Sequence, residues 1–440
     1  MSSQNRVTII GGGWSGLAAA IELAEYNFAV TLIESNKTLG GRARNINLEG
    51  NVIDNGQHLM IGAYTELLRL MNLLGLEQTA AFERQSTLLH SLSYKHKGYQ
   101  LSLPKLAAPY HFLYGLIDAR GLSVLDKLRV ISLCVKLNID NFKIDKDQTL
   151  ASWLSQKKQS ERLIMVFWRP LCLAILNTPI EAASTEVFLN VLKDCFTVKR
   201  DYSDFLFAKS NIGNLFPIPA ERFLKEKNTI IRLGIRAKRI LREDSGFQIE
   251  TSSDTFTSNH LVLATPPKHC AKLIQNLDGL SALYVKLKKF KTSPITTIYL
   301  QYPEDVQLGK TMLGISGGML EWLIDRRLSE QPGLIAAVIS GPGQHMQFSK
   351  AELEKIAIAE LRCLFPHWPA PQSVAVVREK RATFLCEKNI NSWRPDNQTP
   401  IDNLWLAGDY TNTQYPATLE GAIRSGISCA KKIIQTVERK

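Results

Sequence analysis

The feature that most constrains the fold is a glycine-rich turn between two apolar segments. Residues 6–10 form a β-branched, apolar run typical of a buried strand, and the pattern Gly-x-Gly-x-x-Gly follows directly over 11–16. Helix-forming residues continue over 17–24, and a second apolar segment, 29–33, ends at Glu34. This order predicts a β-α-β unit that binds a dinucleotide, and therefore an α/β fold of the Rossmann-like type with a parallel sheet.

The glycines and the acidic residue of this unit have separate expected tasks. Gly11 permits the tight turn, Gly13 lets a pyrophosphate approach the backbone, and Gly16 allows the helix to pack on the strand. The helix that begins near Ser15 attracts phosphate charge to its N-terminus. Glu34 can accept hydrogen bonds from an adenosine ribose. These five residues are predicted to bind a cofactor, although the unit alone does not distinguish NAD from FAD.

A second glycine-containing motif lies near the other end of the chain. Residues 403–407 read as an apolar strand that ends at Gly408 and Asp409. After a short loop, Thr418 and Leu419 open a helix that we predict to run to about residue 434. A strand end, a Gly-Asp pair and a helix N-terminus would form a second polar cradle for a cofactor.

A third segment, Gly40-Gly41-Arg42, identifies the cofactor through a resemblance. Together with the terminal motifs, it resembles the GGR segment of the flavin-containing amine oxidase and phytoene desaturase superfamily. The resemblance implies that FAD is bound, that Arg42 reaches its pyrophosphate, and that Asp409 binds its ribityl-pyrophosphate region. The cofactor-binding residues implied in this way are Gly41, Arg42, Ala237 (over the adenine), Gly408, Asp409, Thr418 and Leu419.

Four inner segments resemble one family more specifically. Residues 54–60, 168–179, 187–192 and 378–384 look like the corresponding parts of the hydroxysqualene dehydroxylase family, the FAD-dependent enzymes of bacterial hopanoid gene clusters. The resemblance implies an apolar triterpenoid substrate and a reductive reaction. Hydroxysqualene would lose its hydroxyl as water and receive a hydride from reduced FAD, giving squalene.

The paired terminal motifs predict that the FAD-binding domain is discontinuous. We assign it residues 1–60, 205–270 and 385–440. The remaining segments, 61–204 and 271–384, are predicted to form a substrate domain that is largely helical with an added β-sheet.

Removal of a hydroxyl group requires an acid, because hydroxide is a poor leaving group. Asp54 and His58 are two candidates, in a loop that resembles a flavin-proximal segment. Tyr415, just before the flavin-facing helix, is the third. Each residue also has a purely structural interpretation. Asp54 would cap a turn, His58 would be a hydrogen-bonded polar residue beneath the flavin, and Tyr415 would pack as part of the cavity wall. A water molecule or the flavin itself remains an alternative.

The charge of the chain favours an anionic partner. It has 53 Lys and Arg against 41 Asp and Glu, a net charge of +12, and 45% of its residues are hydrophobic. No nucleic-acid motif accompanies the charge, so we expect no specific nucleic-acid binding. The apolar, aromatic segment 106–117 and the basic segment 127–136 instead predict peripheral association with an acidic membrane surface.

Cysteine and histidine spacing indicate a cytoplasmic protein without a metal site. The seven cysteines form no Cys-x-x-Cys pair, and the eight histidines have no ligand spacing. We expect no signal peptide and no membrane-spanning segment, and we expect the enzyme at the inner face of the membrane. A second dinucleotide motif is not found, so we expect NAD(P)H to reduce the flavin through a partner protein of unknown identity or only slowly.

Three other functions are compatible with parts of the sequence. A carotenoid-type desaturase would oxidise a similar substrate, and the FAD motifs do not distinguish it. An amine oxidase usually has an aromatic residue at the position of Thr418. A non-catalytic FAD protein that holds membrane terpene enzymes together is the alternative outside enzymology, although such a scaffold would not need Arg42 and Asp409.

Overall fold

The computed structural model describes residues 6–48, 50–93 and 98–439. The strands are β1 (Arg6–Ile10), β2 (Ala29–Glu34), β3 (Asn45–Leu48), β4 (Asn51–Asp54), β5 (Met60–Ile61), β6 (Phe82–Gln85), β7 (Leu88–Ser93), β8 (Gln100–Ser102), β9 (Phe205–Ala208), β10 (Ile230–Leu233), β11 (Ala237–Glu243), β12 (Gly246–Thr251), β13 (Thr255–Ser258), β14 (His260–Leu263), β15 (Thr292–Gln301), β16 (Met312–Ser316), β17 (Trp322–Asp325), β18 (Leu334–Ser340), β19 (Ser373–Phe384) and β20 (Leu404–Leu406).

The α-helices are α1 (Trp14–Glu25), α2 (Thr65–Leu73), α3 (Gln78–Ala81), α4 (Tyr110–Asp118), α5 (Val124–Ile139), α6 (Leu150–Gln156), α7 (Glu161–Leu163), α8 (Arg169–Leu176), α9 (Thr185–Lys193), α10 (Ile212–Leu215), α11 (Pro217–Glu226), α12 (Pro267–Ile274), α13 (Ser281–Lys289), α14 (Lys350–Leu364) and α15 (Leu419–Glu438). Two π-helical turns, Ile164–Trp168 and Asp194–Val198, adjoin α8 and α9.

A parallel sheet at the centre of one half of the molecule confirms the predicted α/β fold. Its strand order is β10-β2-β1-β14-β20, with every neighbouring pair parallel. The strands are short. β1, β14 and β20 are almost fully buried, as expected for a sheet covered on both faces, whereas the edge strand β10 is partly exposed. They come from three distant parts of the chain, all within the segments assigned to FAD binding, so the carboxyl ends of β1, β2, β14 and β20 meet at one edge.

A mixed sheet of seven strands forms the centre of the other half. Its order is β19-β15-β18-β17-β16-β7-β8, and helices α4–α9 belong to the same half. One hydrophobic core contains side chains of both halves, for example Ile10 and Leu263 of the parallel sheet and Leu89 and Met312 of the mixed sheet. The two sheets are therefore joined by continuous packing, and the assignment of domain boundaries remains a prediction.

Two details differ from the sequence-based expectations. Helix α15 begins at Leu419 but continues to Glu438, beyond the predicted end near 434, because its apolar stripe continues from Ile433 and Ile434 to Val437, which packs on the same core. Strand β9, which we assigned to the FAD-binding segments, pairs with β5 and β6 in a small separate sheet.

In the described ranges, no helix combines the length and the apolar character needed to span a bilayer.

Helices α1 and α15 pack at very short range, and glycine makes this possible. A Cβ added to Gly426 would lie 2.2 Å from the backbone oxygen of Ser15 and 2.9 Å from Cβ of Ala18. Both contacts involve rigid parts of α1, so no side-chain rotation can relieve them. The position of α15, and therefore of the C-terminal motif, depends on this glycine.

We predict that Gly426→Val destabilises the protein by about 1–3 kcal/mol, because the added methyl groups force the two helices apart. Its thermal midpoint Tm should fall by about 2–6 °C in a thermal scan monitored by circular dichroism. The matched control is Gln435→Val, a substitution on the exposed face of the same helix. Equal Tm values for the two variants would contradict the proposed close packing.

Candidate active site

The turn after β1 has the geometry of a phosphate cradle. Gly11 adopts a φ of +113°, and a Cβ there would lie 2.5 Å from the oxygen of Ala264. A Cβ on Gly16 would lie 2.0 Å from the oxygen of Gly11, so α1 packs directly on the turn. No side chain caps the first turn of α1, which contains no acidic residue. Its N–H groups and positive dipole end are therefore free to hold an anion.

Glu34 is fixed beside this turn by backbone hydrogen bonds. Its Oε2 accepts the N–H of Gly12 at 2.7 Å, and its Oε1 accepts the N–H of Asn36 at 2.8 Å. The residue is 6% exposed and ends β2 at the carboxyl edge of the parallel sheet. A carboxylate oriented in this way retains lone pairs with which to accept ribose hydroxyl groups.

An ion pair brings the two terminal motifs together. Arg42 Nη2 lies 2.8 Å from Asp409 Oδ2, across a sequence separation of 367 residues, and Arg42 Nη1 donates to the oxygen of Ala382 at 2.9 Å. A Cβ on Gly41 would lie 3.1 Å from Cα of Gly13, so the GGR segment lies against the first glycine turn. The predicted motifs therefore form one site, whose exposed guanidinium and paired turns fit a dinucleotide pyrophosphate.

Arg394 holds the C-terminal motif in place, and the sequence analysis missed it. Its guanidinium donates to the backbone oxygens of Asp409 at 2.8 Å and Tyr415 at 2.7 Å, and to Thr413 Oγ1 at 2.8 Å. The residue is 4% exposed, and burial lowers its pKa to about 10, which leaves it charged at neutral pH. The sequence feature that could have indicated Arg394 is its isolation, because it is the only charged residue between Lys388 and Asp396.

One cavity of about 830 Å³ joins these turns to the mixed sheet and the helical region. Eleven of the twelve predicted cofactor residues line it, all except Gly16, which packs α1 on the sheet. Away from the glycine turns the lining is apolar and aromatic, with contributions from Leu89, Tyr99, Leu171, Ile175, Phe196 and Trp322. The cavity is thus polar and glycine-rich at one end and apolar at the other.

His58 lines this cavity, and its imidazole is the least engaged of the three acid candidates. Its buried Nε2 has no hydrogen-bond partner within the described part of the chain. Burial lowers the pKa of His58, the Asp54 carboxylate opposes this, and the Arg326 and Arg42 cations add to it. The imidazole is therefore neutral at neutral pH.

The structure does not bring Asp54 to the wall of the large cavity. Its Oδ2 lies 2.9 Å from Nη1 of Arg326, and its Oδ1 accepts the N–H of Ile212 at 2.8 Å. Both charged side chains are 5% exposed. Asp54 therefore acts locally as the partner of a buried cation, and its contribution to the site is the field it exerts on His58.

Tyr415 does line the cavity, but its hydroxyl group is already used. It donates to Asp194 Oδ2 at 2.5 Å, and the Arg424 guanidinium lies 4.0 Å from the centre of the tyrosine ring. Burial raises the pKa of Tyr415, with the nearby Arg424 cation opposing the shift. The phenol therefore stays protonated, and its proton is directed at Asp194.

Asn177 is a further cavity residue to which the sequence analysis gave no role. It adopts a φ of +46°, its Nδ2 donates to Thr383 Oγ1 at 2.9 Å, and its Oδ1 accepts the N–H of Gly341 at 2.7 Å. It thereby joins the end of α8 to the mixed sheet. Across the residues that the structure describes, no group of three or more His, Cys, Asp or Glu side chains is arranged to hold a metal ion.

Comparisons with known proteins agree with this architecture. The chain is similar to the hydroxysqualene dehydroxylase of Rhodopseudomonas palustris (strain ATCC BAA-98 / CGA009), with 26% identity over 97% of this chain and 98% of that protein. It is also similar to the chloroplastic/chromoplastic zeta-carotene desaturase of Solanum lycopersicum, with 21% identity over 99% of this chain and 82% of the relative. The structure of cyclohexylamine oxidase from Brevibacterium oxydans IH-35A shares the fold, with a TM-score of 0.71, 19% identity, and coverage of 99% of this chain and 100% of that one.

The family comparison covers almost the whole length of the protein. The model of the family described as flavin containing amine oxidoreductase matches residues 14–434, from the start of α1 to the last turns of α15. Its match includes the GGR segment, the Gly-Asp pair, the mixed sheet and every strand of the parallel sheet except β1, and it confirms the prediction of FAD. The chain therefore belongs to the flavin-containing amine oxidoreductase family and is an FAD-dependent oxidoreductase.

Proposed function

We propose that this enzyme reductively removes the hydroxyl group of hydroxysqualene, giving squalene and water. The observation that carries the proposal is the single cavity, glycine-rich at the cofactor end and apolar and aromatic over the remainder. A long hydrocarbon with one polar group suits such a lining, because few polar side chains would have to lose water to receive it. Near-complete mutual coverage with the Rhodopseudomonas palustris dehydroxylase supports this substrate.

The reaction replaces a carbon–oxygen bond with a carbon–hydrogen bond, so it consumes one hydride and one proton and releases water. When bound in its reduced form, FAD supplies the hydride. The protein must provide the proton as the carbon–oxygen bond breaks. It must also stabilise the allylic cation that remains, and the aromatic faces of Tyr99, Phe196 and Trp322 along the cavity are suited to that task.

His58 is the proton donor in this proposal. It has a cavity-lining position and a ring nitrogen without a protein partner, whereas Tyr415 is bound to Asp194 and Asp54 is bound to Arg326. Tyr415 then serves as a positioning residue that ties the π-helical turn 194–198 to α15. Asp54 serves through its negative charge, which favours the protonated form of His58.

The membrane and the electron donor complete the proposal. A product and a substrate as apolar as these reside in a bilayer, and a net charge of +12 favours an acidic lipid surface. We therefore propose peripheral association with the cytoplasmic face of the membrane. The electron donor in this proposal is a partner protein.

Arg42→Ala should weaken FAD binding. The substitution removes a charged donor assigned to the pyrophosphate and leaves the carboxylate of Asp409 buried without its partner. We expect the dissociation constant of FAD to rise on the order of tenfold to hundredfold. The measurement is a fluorescence titration of deflavinated protein with FAD. The control is Lys37→Ala, a loss of an exposed cation in the same segment; an equal effect of both substitutions would contradict the assignment.

Proton donation by His58 predicts a pH dependence of definite sign. Because burial lowers the pKa of His58, its cation forms only below the ordinary value of about 6.5. The single-turnover rate should therefore rise as pH falls through the His58 pKa and should be slowest at alkaline pH. His58→Gln should remove this dependence, while His90→Gln, a substitution outside the cavity lining, should retain it. An unchanged profile in His58→Gln would assign the proton to another group.

The function itself is tested by an anaerobic single turnover. The bound flavin is photoreduced, hydroxysqualene is added, and the flavin spectrum and the extracted lipid are followed together. We expect flavin reoxidation matched by squalene in mass spectrometry. Reduced flavin with intact substrate would contradict the dehydroxylase proposal. In that case, turnover of oxidised enzyme with a carotene-type polyene would support a desaturase, which the similarity to zeta-carotene desaturase favours as the second candidate.

A further inference from the structure

Helix α4 exposes large apolar side chains along its outer face. Tyr110, Tyr114 and Ile117 follow a spacing of four and three residues and are 66%, 54% and 59% exposed. Leu106, just before the helix, is 42% exposed. The opposite face, with Phe112 and Leu116, is buried in the core. An outer face of this composition is unusual for a helix that has only water outside.

Helix α5 has two apolar faces, of which one is buried and one is not. Its inner face contributes Val130, Leu133 and Leu137 to the core. Its outer stripe is formed by residues at intervals of four or seven, each between 45% and 76% exposed: Val124, Leu128, Val135 and Ile139. A surface helix normally presents polar residues there. The outer stripe is therefore suited to an apolar neighbour, which the described part of the chain does not supply.

Basic residues surround these two helices, which lie side by side. Lys127 Nζ on α5 donates to the oxygen of Ile117 on α4 at 2.6 Å. Lys105, Lys136 and Lys143 are exposed nearby. The segment 105–146 contains seven Lys and Arg against four Asp and Glu. We call residues 105–146 the α4–α5 surface.

A groove behind this surface lies next to the large cavity. It has a volume of about 120 Å³ and is lined by Val135 and Ile139 of the outer stripe, among others. Leu171 and Phe196 line both this groove and the large cavity, so these two side chains form the partition between them. Phe196 lies in the π-helical turn 194–198 and stacks on Phe112, with ring centres 4.2 Å apart. π-helical turns are frequent at functional sites.

We propose that the α4–α5 surface lies in the headgroup region of an anionic bilayer, and that the groove behind it admits an apolar substrate past Leu171 and Phe196. Exposed tyrosines, aliphatic side chains and flanking lysines are the combination that favours a lipid interface over water. A lysine can place its apolar stem among the lipids while its ammonium group contacts headgroups. The membrane contact stands on its own, whereas the passage of substrate rests on the proposed function.

Vesicle flotation tests the membrane contact. The probe is a vesicle of equal parts phosphatidylglycerol and phosphatidylcholine. Leu128→Glu/Ile139→Glu should lower the partition constant at least about tenfold, because two charges replace the apolar contact. The matched control, Tyr26→Glu/Val285→Glu, changes two exposed apolar residues elsewhere and should stay within about twofold of the unsubstituted protein. Flavin content and Tm show whether each variant is folded.

Two results would overturn the membrane contact. The first is that the Leu128→Glu/Ile139→Glu variant floats with the vesicles as well as the unsubstituted protein does, or that neither protein floats. The other is a dimer in sedimentation analysis that the Leu128→Glu/Ile139→Glu variant converts to monomer without any flotation, which would make the surface an interface between two copies of this chain.

Squalene uptake tests the passage without relying on turnover. Protein incubated with squalene-loaded vesicles is separated from them, and the retained squalene is measured by mass spectrometry. Leu171→Trp should lower the retained amount at least about fivefold by filling the partition, while Ile117→Trp, an exposed position outside the groove lining, should not. Equal retention would overturn the passage. Normal flotation and uptake with no single turnover would overturn the proposed function and leave this inference standing.

Discussion

The ion pair between Arg42 and Asp409 is the contact on which the site depends. It joins a turn after the second strand to a turn near the end of the chain, and the same guanidinium reaches the backbone of β19 in the mixed sheet. Asp409 is almost fully buried, so its charge requires a partner whether or not a cofactor is bound. Arg394 holds the backbone of the same turn from the other side. One cation therefore binds the Asp409 carboxylate and a second binds its backbone, where three segments of the chain meet.

A second buried ion pair fixes the loop that carries His58. Arg326 binds the Asp54 carboxylate and also donates to Gln57 Oε1 at 3.2 Å, immediately before His58 in the chain. Tyr299 adds a hydrogen bond from its hydroxyl group to the oxygen of Asp54 at 2.8 Å. This network keeps the charges behind the loop and leaves the neutral imidazole at the cavity wall. The charged groups behind the loop are thus engaged with the protein, whereas the imidazole of His58 lines the cavity.

The helical region is built around the same division between polar and apolar surfaces. Its inner faces complete the core, and its π-helical turn 194–198 brings Cys195 and Phe196 to the cavity. Its outer faces remain apolar where water would favour polar side chains. A chain that handles a hydrocarbon faces two requirements, a dry site and a route to it from a lipid phase. Leu171 and Phe196 lie between a groove at the surface and the large cavity. A partition at this place could both keep the cavity dry and lie on the route by which a hydrocarbon enters it.

The sequence by itself determined the β-α-β unit and the glycine turns, because those depend on local spacing: Gly11, Gly13, Glu34 and the Gly-Asp pair can each be recognised within a few residues. The choice of FAD as cofactor followed from the resemblance of the GGR segment and the terminal motifs to a flavin-containing superfamily. Only the tertiary structure decided which acid candidate has a polar side-chain atom at the cavity without a partner among the described residues, because burial and ion pairing involve residues far apart in sequence. Asp54 and His58 are four positions apart, and the sequence alone does not show which of them is the better candidate for the acid. Arg326, more than two hundred residues later, distinguishes them because it binds the Asp54 carboxylate, while the Nε2 of His58 has no partner among the residues that the structure describes.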